Sequence, residues 1–148
     1  MPVYSAKASG LVLNGPILEV QLLPGVHAAA AMQRAGLPIP PPITVAALID
    51  TGASCTVVTS GIPAQLGLQP MGSRLVNTPT SQKVPCPTYA IRIIFPSTGG
   101  IKSSVGFDAV VMEAPLQGQN IQCLIGRDFL QHAILIYSGP DEMFTLSL

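Results

Sequence analysis

The stretch Ala47-Leu48-Ile49-Asp50-Thr51-Gly52-Ala53-Ser54 decides how this chain reads, because an apolar strand ends there abruptly in a carboxylate, a hydroxyl and a glycine. Ile43 to Ile49 has the β-branched, apolar character of a buried strand, and Cys55-Thr56-Val57-Val58 re-enters another. A carboxylate at the end of a buried strand is costly unless its surroundings use it. An Asp-Thr-Gly tripeptide alone is often a turn or a helix cap; the strands on both sides set this one apart.

The residue types suit one kind of chemistry. Two carboxylates held close together cannot both ionise, so one keeps a proton while the other stays charged. The charged member draws a proton from water and the protonated member donates to a substrate carbonyl, which is how a carboxylate pair can hydrolyse a peptide bond. Thr51 can hold the loop through its hydroxyl, Gly52 lets backbone approach the carboxylate with no Cβ in the way, and Ala53 leaves room for an extended substrate. Asp108, Asp128 and Asp141 lack the Thr/Ser-Gly that follows Asp50, so a second such carboxylate must come from another copy of the chain, most simply across a twofold axis.

Outward from this point, 15 prolines and 14 glycines cut the chain into short segments rich in Val, Ile and Leu, the pattern of an all-β domain. Leu11–Leu13 and Ile17–Leu23 read as a hairpin around Asn14-Gly15-Pro16, Ala28–Ala35 as one short helix, and residues 38–42 as a rigid proline-rich connector. Leu75–Val76 and Tyr89–Phe95 read as the arms of a long hairpin across the polar stretch Asn77–Lys83, with Pro85 and Pro87 placing it at a sheet edge. Val105–Met112 and Ile121–Ile125 read as strands, Pro63–Gly67 and Asp128–Gln131 as helical turns, and Ile134–Tyr137 with Phe144–Leu148 as a closing hairpin. The expected organisation is a single domain over 1–148, with residues 1–42 leading into a core over 43–148.

Composition narrows the function. Only 9% of residues are charged against 48% hydrophobic, so some apolar surface is expected to face a partner subunit. Seven basic side chains balance seven acidic ones without clustering, which argues against a nucleic-acid partner. No run approaches the roughly 18 apolar residues of a membrane span, and residues 1–11 do not read as a secretory signal. Cys55, Cys86 and Cys123 lie far apart with no Cys-x-x-Cys, against a zinc site or disulfide framework and in keeping with a reducing cytoplasm. No metal or cofactor is called for.

Other side chains read as structural. Cys55 resembles a small buried apolar residue more than a nucleophile served by His27 or His132; Asp108 and Glu113 look solvated; Asp128 looks like the cap of its helical turn.

From about Val45 to the C-terminus the chain resembles the retropepsin-like aspartic proteases. Asp50-Thr51-Gly52-Ala53-Ser54 matches the family's first signature, and Leu124-Ile125-Gly126-Arg127-Asp128 matches its second, an apolar pair and Gly that thread beside the catalytic loop. The resemblance implies a closed acid-protease barrel with one or two short helices and a homodimer. It implies an endopeptidase acting on a polypeptide substrate, with Asp50 as the catalytic residue and Thr51 to Ser54 as its loop. Ile125, Gly126 and Arg127 would form the structural signature, and Thr78, Pro79, Thr80, Ser81 and Gln82 a flap over the substrate. Retroviral members usually carry an acidic residue in place of Ser54, paired with the Arg equivalent to Arg127; here Arg127 must find another partner. Their flaps are glycine-rich, whereas residues 77–82 contain no glycine. The rival readings are a non-catalytic dimerisation or peptide-binding module on the same fold, and an unrelated β domain whose Asp50 is a turn residue.

Overall fold

The computed structural model describes residues 3–8, 10–77, 82–96, 105–116, 118 and 120–148. In chain order the elements are β1 (Val3–Lys7), α1 (Leu11–Asn14), β2 (Ile17–Pro24), α2 (Val26–Arg34), β3 (Ile43–Ile49), β4 (Val57–Val58) and α3 (Ile62–Gln65). They continue with β5 (Gly72–Val76), β6 (Val84–Phe95), β7 (Val105–Glu113), β8 (Cys123–Ile125), α4 (Arg127–Leu130), β9 (Ile134–Ser138) and β10 (Met143–Ser147).

Seven strands pair in the order β2-β3-β8-β4-β7-β6-β5, and a further pairing of β2 with β6 closes six of them into a barrel with β5 outside the ring. Closure removes the open edges that a sheet of this size would otherwise present. Alternate residues point inward: Leu18, Val20 and Leu22 on β2, and Ile91, Ile93 and Phe95 on β6, are buried almost completely. Phe95 stacks on Phe129 with centroids 4.9 Å apart, and Phe107 meets Phe129 edge-on at 5.2 Å, so one turn of helix after β8 is anchored in the core.

A second sheet, β1-β10-β9, is antiparallel throughout. The closing hairpin expected from the sequence is its β9–β10 pair. β10 lies in the middle with Phe144 and Leu146 fully buried, so these two side chains serve this chain's own core. The exposed apolar groups of the sheet are Val3, Ile134, Ile136 and Tyr137.

The expected hairpin of Leu11–Leu13 with Ile17–Leu23 does not form. Residues 11–14 are a helical turn that starts after Gly10 at φ 76° and stops before Gly15 at φ 73°, conformations that break a strand ladder. β2 pairs instead with β3 and β6. The alanine-rich helix is present, shifted to Val26–Arg34. Asp108 on β7 accepts the Val26 N–H at 3.0 Å, and Gly36 at φ 69° ends the helix with Leu37 N–H donating to Met32 O. With α1, α3 and α4 the described residues hold four helical segments rather than one or two, three of them a single turn. Among the described residues no helix is long and apolar enough to cross a membrane.

Candidate active site

Asp50 is delivered by β3. That strand runs parallel to β8 with Ile49 opposite Ile125, and the Asp50 N–H donates to Ile125 O at 3.0 Å. The chain then turns: Gly52 N–H donates to Asp50 Oδ1 at 2.8 Å and Ala53 N–H to Asp50 O at 3.2 Å. A Cβ on Gly52 would lie 3.0 Å from Asp50 Oδ1, so the glycine does permit a close approach. The carboxylate is half-buried, and among the described residues no group is hydrogen-bonded to its Oδ2.

The second signature segment lies directly on this loop. A Cβ on Gly126 would stand 2.5 Å from both the carbonyl carbon and the oxygen of Cys55, so only a glycine fits between β8 and the loop. Arg127 N–H donates to Ala53 O at 2.9 Å, and Arg127 Nη1 donates to Thr51 O at 2.7 Å. The partner that Ser54 cannot supply to Arg127 is thus a backbone carbonyl. Fully buried Thr56 completes the clasp: its N–H and hydroxyl donate to Asp128 Oδ2 and Oδ1 at 2.9 and 2.8 Å, while its oxygen accepts the Gly126 N–H at 3.2 Å. Asp128 also accepts the Phe129 N–H at 2.9 Å. The N-cap of α4 is Gly126, with no side-chain cap, so Asp128 lies within the first turn instead of capping it, and its main duty is to tie that turn to the strand after Asp50. Neither Thr56 nor this duty of Asp128 was legible in the sequence, where the two residues stand far apart.

Three further side chains depart from their sequence reading. Asp108 is exposed, as read, but is also paired with Arg92 at 2.9 Å, and Glu113 is half-buried and accepts Tyr89 Oη–H at 2.9 Å and Gly61 N–H at 2.8 Å, so both also hold structure. Cys55 is half-exposed, with Ser54 Oγ 3.7 Å from its sulfur and Arg74 Nη1 donating to it at 3.5 Å. Neither histidine is hydrogen-bonded to it among the described residues. Cys86 and Cys123 are buried; desolvation, and then the Asp128 charge, push the Cys123 thiol up to about 12, which keeps it protonated and inert. Among the described residues no group of three or more His, Cys, Asp or Glu side chains is placed to hold a metal ion.

β5 and β6 form the two arms of the expected long hairpin, with Arg74 opposite Cys86 and Val76 opposite Val84. Pro85 and Pro87 face β5, the strand outside the barrel ring, where missing donors are tolerated. At its base Lys83 N–H donates to Asn77 Oδ1 at 3.2 Å. Of the expected flap residues Gln82 is exposed; Thr78, Pro79, Thr80 and Ser81 lie outside the described residues.

A family model described as aspartyl protease matches residues 42–129, opening at the end of the proline connector and closing within α4. No curated protein matches the sequence significantly. Solved structures that it resembles include a retropepsin-like aspartic protease from Rickettsia conorii, at 13% identity, covering 88% of this chain and 91% of that one, with a TM-score of 0.47. The family match spans more than half of the 148 residues and includes both the Asp50 turn and the glycine segment lying on it, and on that basis the chain belongs to the aspartyl protease family.

Proposed function

We propose that this chain is one subunit of a homodimeric aspartic endopeptidase in which Asp50 from each of two copies forms the catalytic pair. The observation that carries this reading is the state of the Asp50 carboxylate: one oxygen is held by the Gly52 N–H and the other has no partner among the described residues. An oxygen left in that way can take a proton shared with a second carboxylate, or order a water between them. The ionised member then removes a proton from that water as it attacks the scissile carbonyl. The protonated member donates to the carbonyl oxygen, and the resulting intermediate collapses with proton transfer to the leaving nitrogen. Thr51, Gly52, Ala53 and Ser54 shape the loop, Ile125, Gly126 and Arg127 brace it, and Thr78 to Gln82 cover the substrate.

The need for two copies gains support from where the other aspartates are spent. Asp108 is engaged by Arg92 and Val26, Asp128 by Thr56 and Phe129, and Asp141 by the Ser138 hydroxyl. None is left to serve as the second carboxylate. The exposed Val3, Ile134 and Ile136 of the β1-β10-β9 sheet provide apolar surface for a self-complementary contact.

The test is turnover of an unstructured polypeptide by the purified protein and by Asp50→Asn. The substitution should lower cleavage by ~10²–10⁴-fold while leaving the fold intact. Specific activity should fall on dilution below the dimer dissociation constant, excess Asp50→Asn subunits should poison active ones, and the pH profile should be a bell on the acidic to near-neutral side. Full activity from a sedimenting monomer, or undiminished cleavage by Asp50→Asn, would sink the shared-pair mechanism. Peptide binding without turnover by the intact chain would assign it instead to a binding module.

A further inference from the structure

We infer that Arg74 is a specificity-determining residue that selects polypeptides carrying an acidic side chain close to, but not at, the scissile bond. The inference rests on the peptidase reading, since it concerns the substrate of that proposed site. Arg74 sits on β5, one arm of the hairpin, and its guanidinium reaches to Cys55 on the loop that follows Asp50. On the peptidase reading, an extended chain bound beside Asp50 and against that hairpin would meet the Arg74–Cys55 contact.

The state of the guanidinium argues for a ligand. Its hydrogen-bond partner among the described residues is the Cys55 sulfur at 3.5 Å, a neutral and weak acceptor. Arg92–Asp108 is the ion pair found among the described residues, and Arg74 has no equivalent. Arg74 also lines a depression of about 230 Å³ together with Thr56, Asp108, Asp128 and His132, yet both carboxylates there are already occupied. Asp108 serves Arg92 and the Val26 N–H, and Asp128 serves Thr56 and the Phe129 N–H. An exposed guanidinium on an edge strand, hydrogen-bonded among the described residues to a thiol, keeps its forked donors available to a carboxylate, the acceptor whose geometry they match. Replacing the sulfur by a substrate Asp or Glu exchanges a weak contact for a charge-assisted one.

The experiment measures a selectivity ratio. A cleavable peptide is identified from the digest of an unfolded protein, and variants are made with Glu or Gln at each of the three positions on either side of the cut. At one position kcat/KM for Glu should exceed that for Gln by about five- to tenfold at low salt, shrinking as ionic strength rises. Arg74→Leu should bring the ratio to about one, and Arg74→Glu should invert it, so that Gln is preferred over Glu. Cys55→Asp supplies an independent check, because it gives Arg74 a resident carboxylate and should abolish the preference with the arginine still present. The same peptides are titrated by fluorescence anisotropy onto Asp50→Asn protein, so that selectivity is read without turnover. Glu-selective binding by a protein that cleaves nothing would uphold Arg74 and overturn the catalytic reading. Cleavage with equal ratios at every position, a Glu preference that survives Arg74→Leu, or no binding of any peptide would overturn the role of Arg74.

Discussion

The loop after Asp50 and the strand β5 are built on opposite terms. The loop is gripped from below by Gly126, by both the backbone and the side chain of Arg127, and by Asp128 through Thr56. β5 pairs with β6 alone, and Gly72 to Leu75 are exposed. Placing a carboxylate for catalysis tolerates errors of only a fraction of an ångström, so the loop has its alternatives removed by contacts from a second strand–helix unit. On the proposed function β5 is an arm of the substrate cover; a strand in that role must yield to admit a substrate, and few buried contacts make yielding cheap.

Substitutions in the two regions should therefore divide cleanly between stability and turnover. Gly126→Ala is expected to have the largest effect on stability, because its Cβ meets backbone 2.5 Å away that cannot swing aside. A loss of about 3 kcal/mol, with collapse of activity, should appear in urea denaturation; a native-like midpoint would mean that the loop does not rest on this glycine. Thr56→Val should follow at about 2 kcal/mol, since it deprives half-buried Asp128 of one donor and buried Gly126 N–H of its acceptor while preserving shape. Gly36→Ala makes a control of a different kind: its φ is 69° with nothing within 4 Å of the added Cβ, so only backbone strain of about 1 kcal/mol is expected, with activity retained. Removing residues 79–82, which join β5 to β6, should shift stability by less than about 0.5 kcal/mol yet lower turnover greatly. Equal losses of both quantities in that last variant would place the segment in the core and erase the contrast.

Reading the chain in order recovered what local pattern encodes. β3 through its carboxylate end, the β5–β6 hairpin, the glycine segment after β8 and the closing β9–β10 pair are all visible as apolar runs cut by Gly and Pro. The segment before β2 was misread, because Leu11–Leu13 is too short to show a period and Gly10 and Gly15 act as helix bounds, not hairpin neighbours. β1 left no signal at all: Val-Tyr-Ser-Ala-Lys becomes a strand only by pairing with β10, at the opposite end of the chain.

By itself the sequence determined that the chain is all-β, that an apolar strand ends in the Asp50-Thr51-Gly52 turn on which the proposed chemistry rests, and that this carboxylate has no second Asp-Thr-Gly to work with. These follow from residue type and short-range order, which a linear reading contains. Only the tertiary structure decided that Arg127 grips the Thr51 carbonyl, that Asp128 clasps Thr56, and that Arg74 reaches from β5 to Cys55. Each joins elements far apart in the chain through one or two directional hydrogen bonds. Such bonds depend on strand pairing and packing bringing the partners to within about 3.5 Å, a condition that no local propensity expresses.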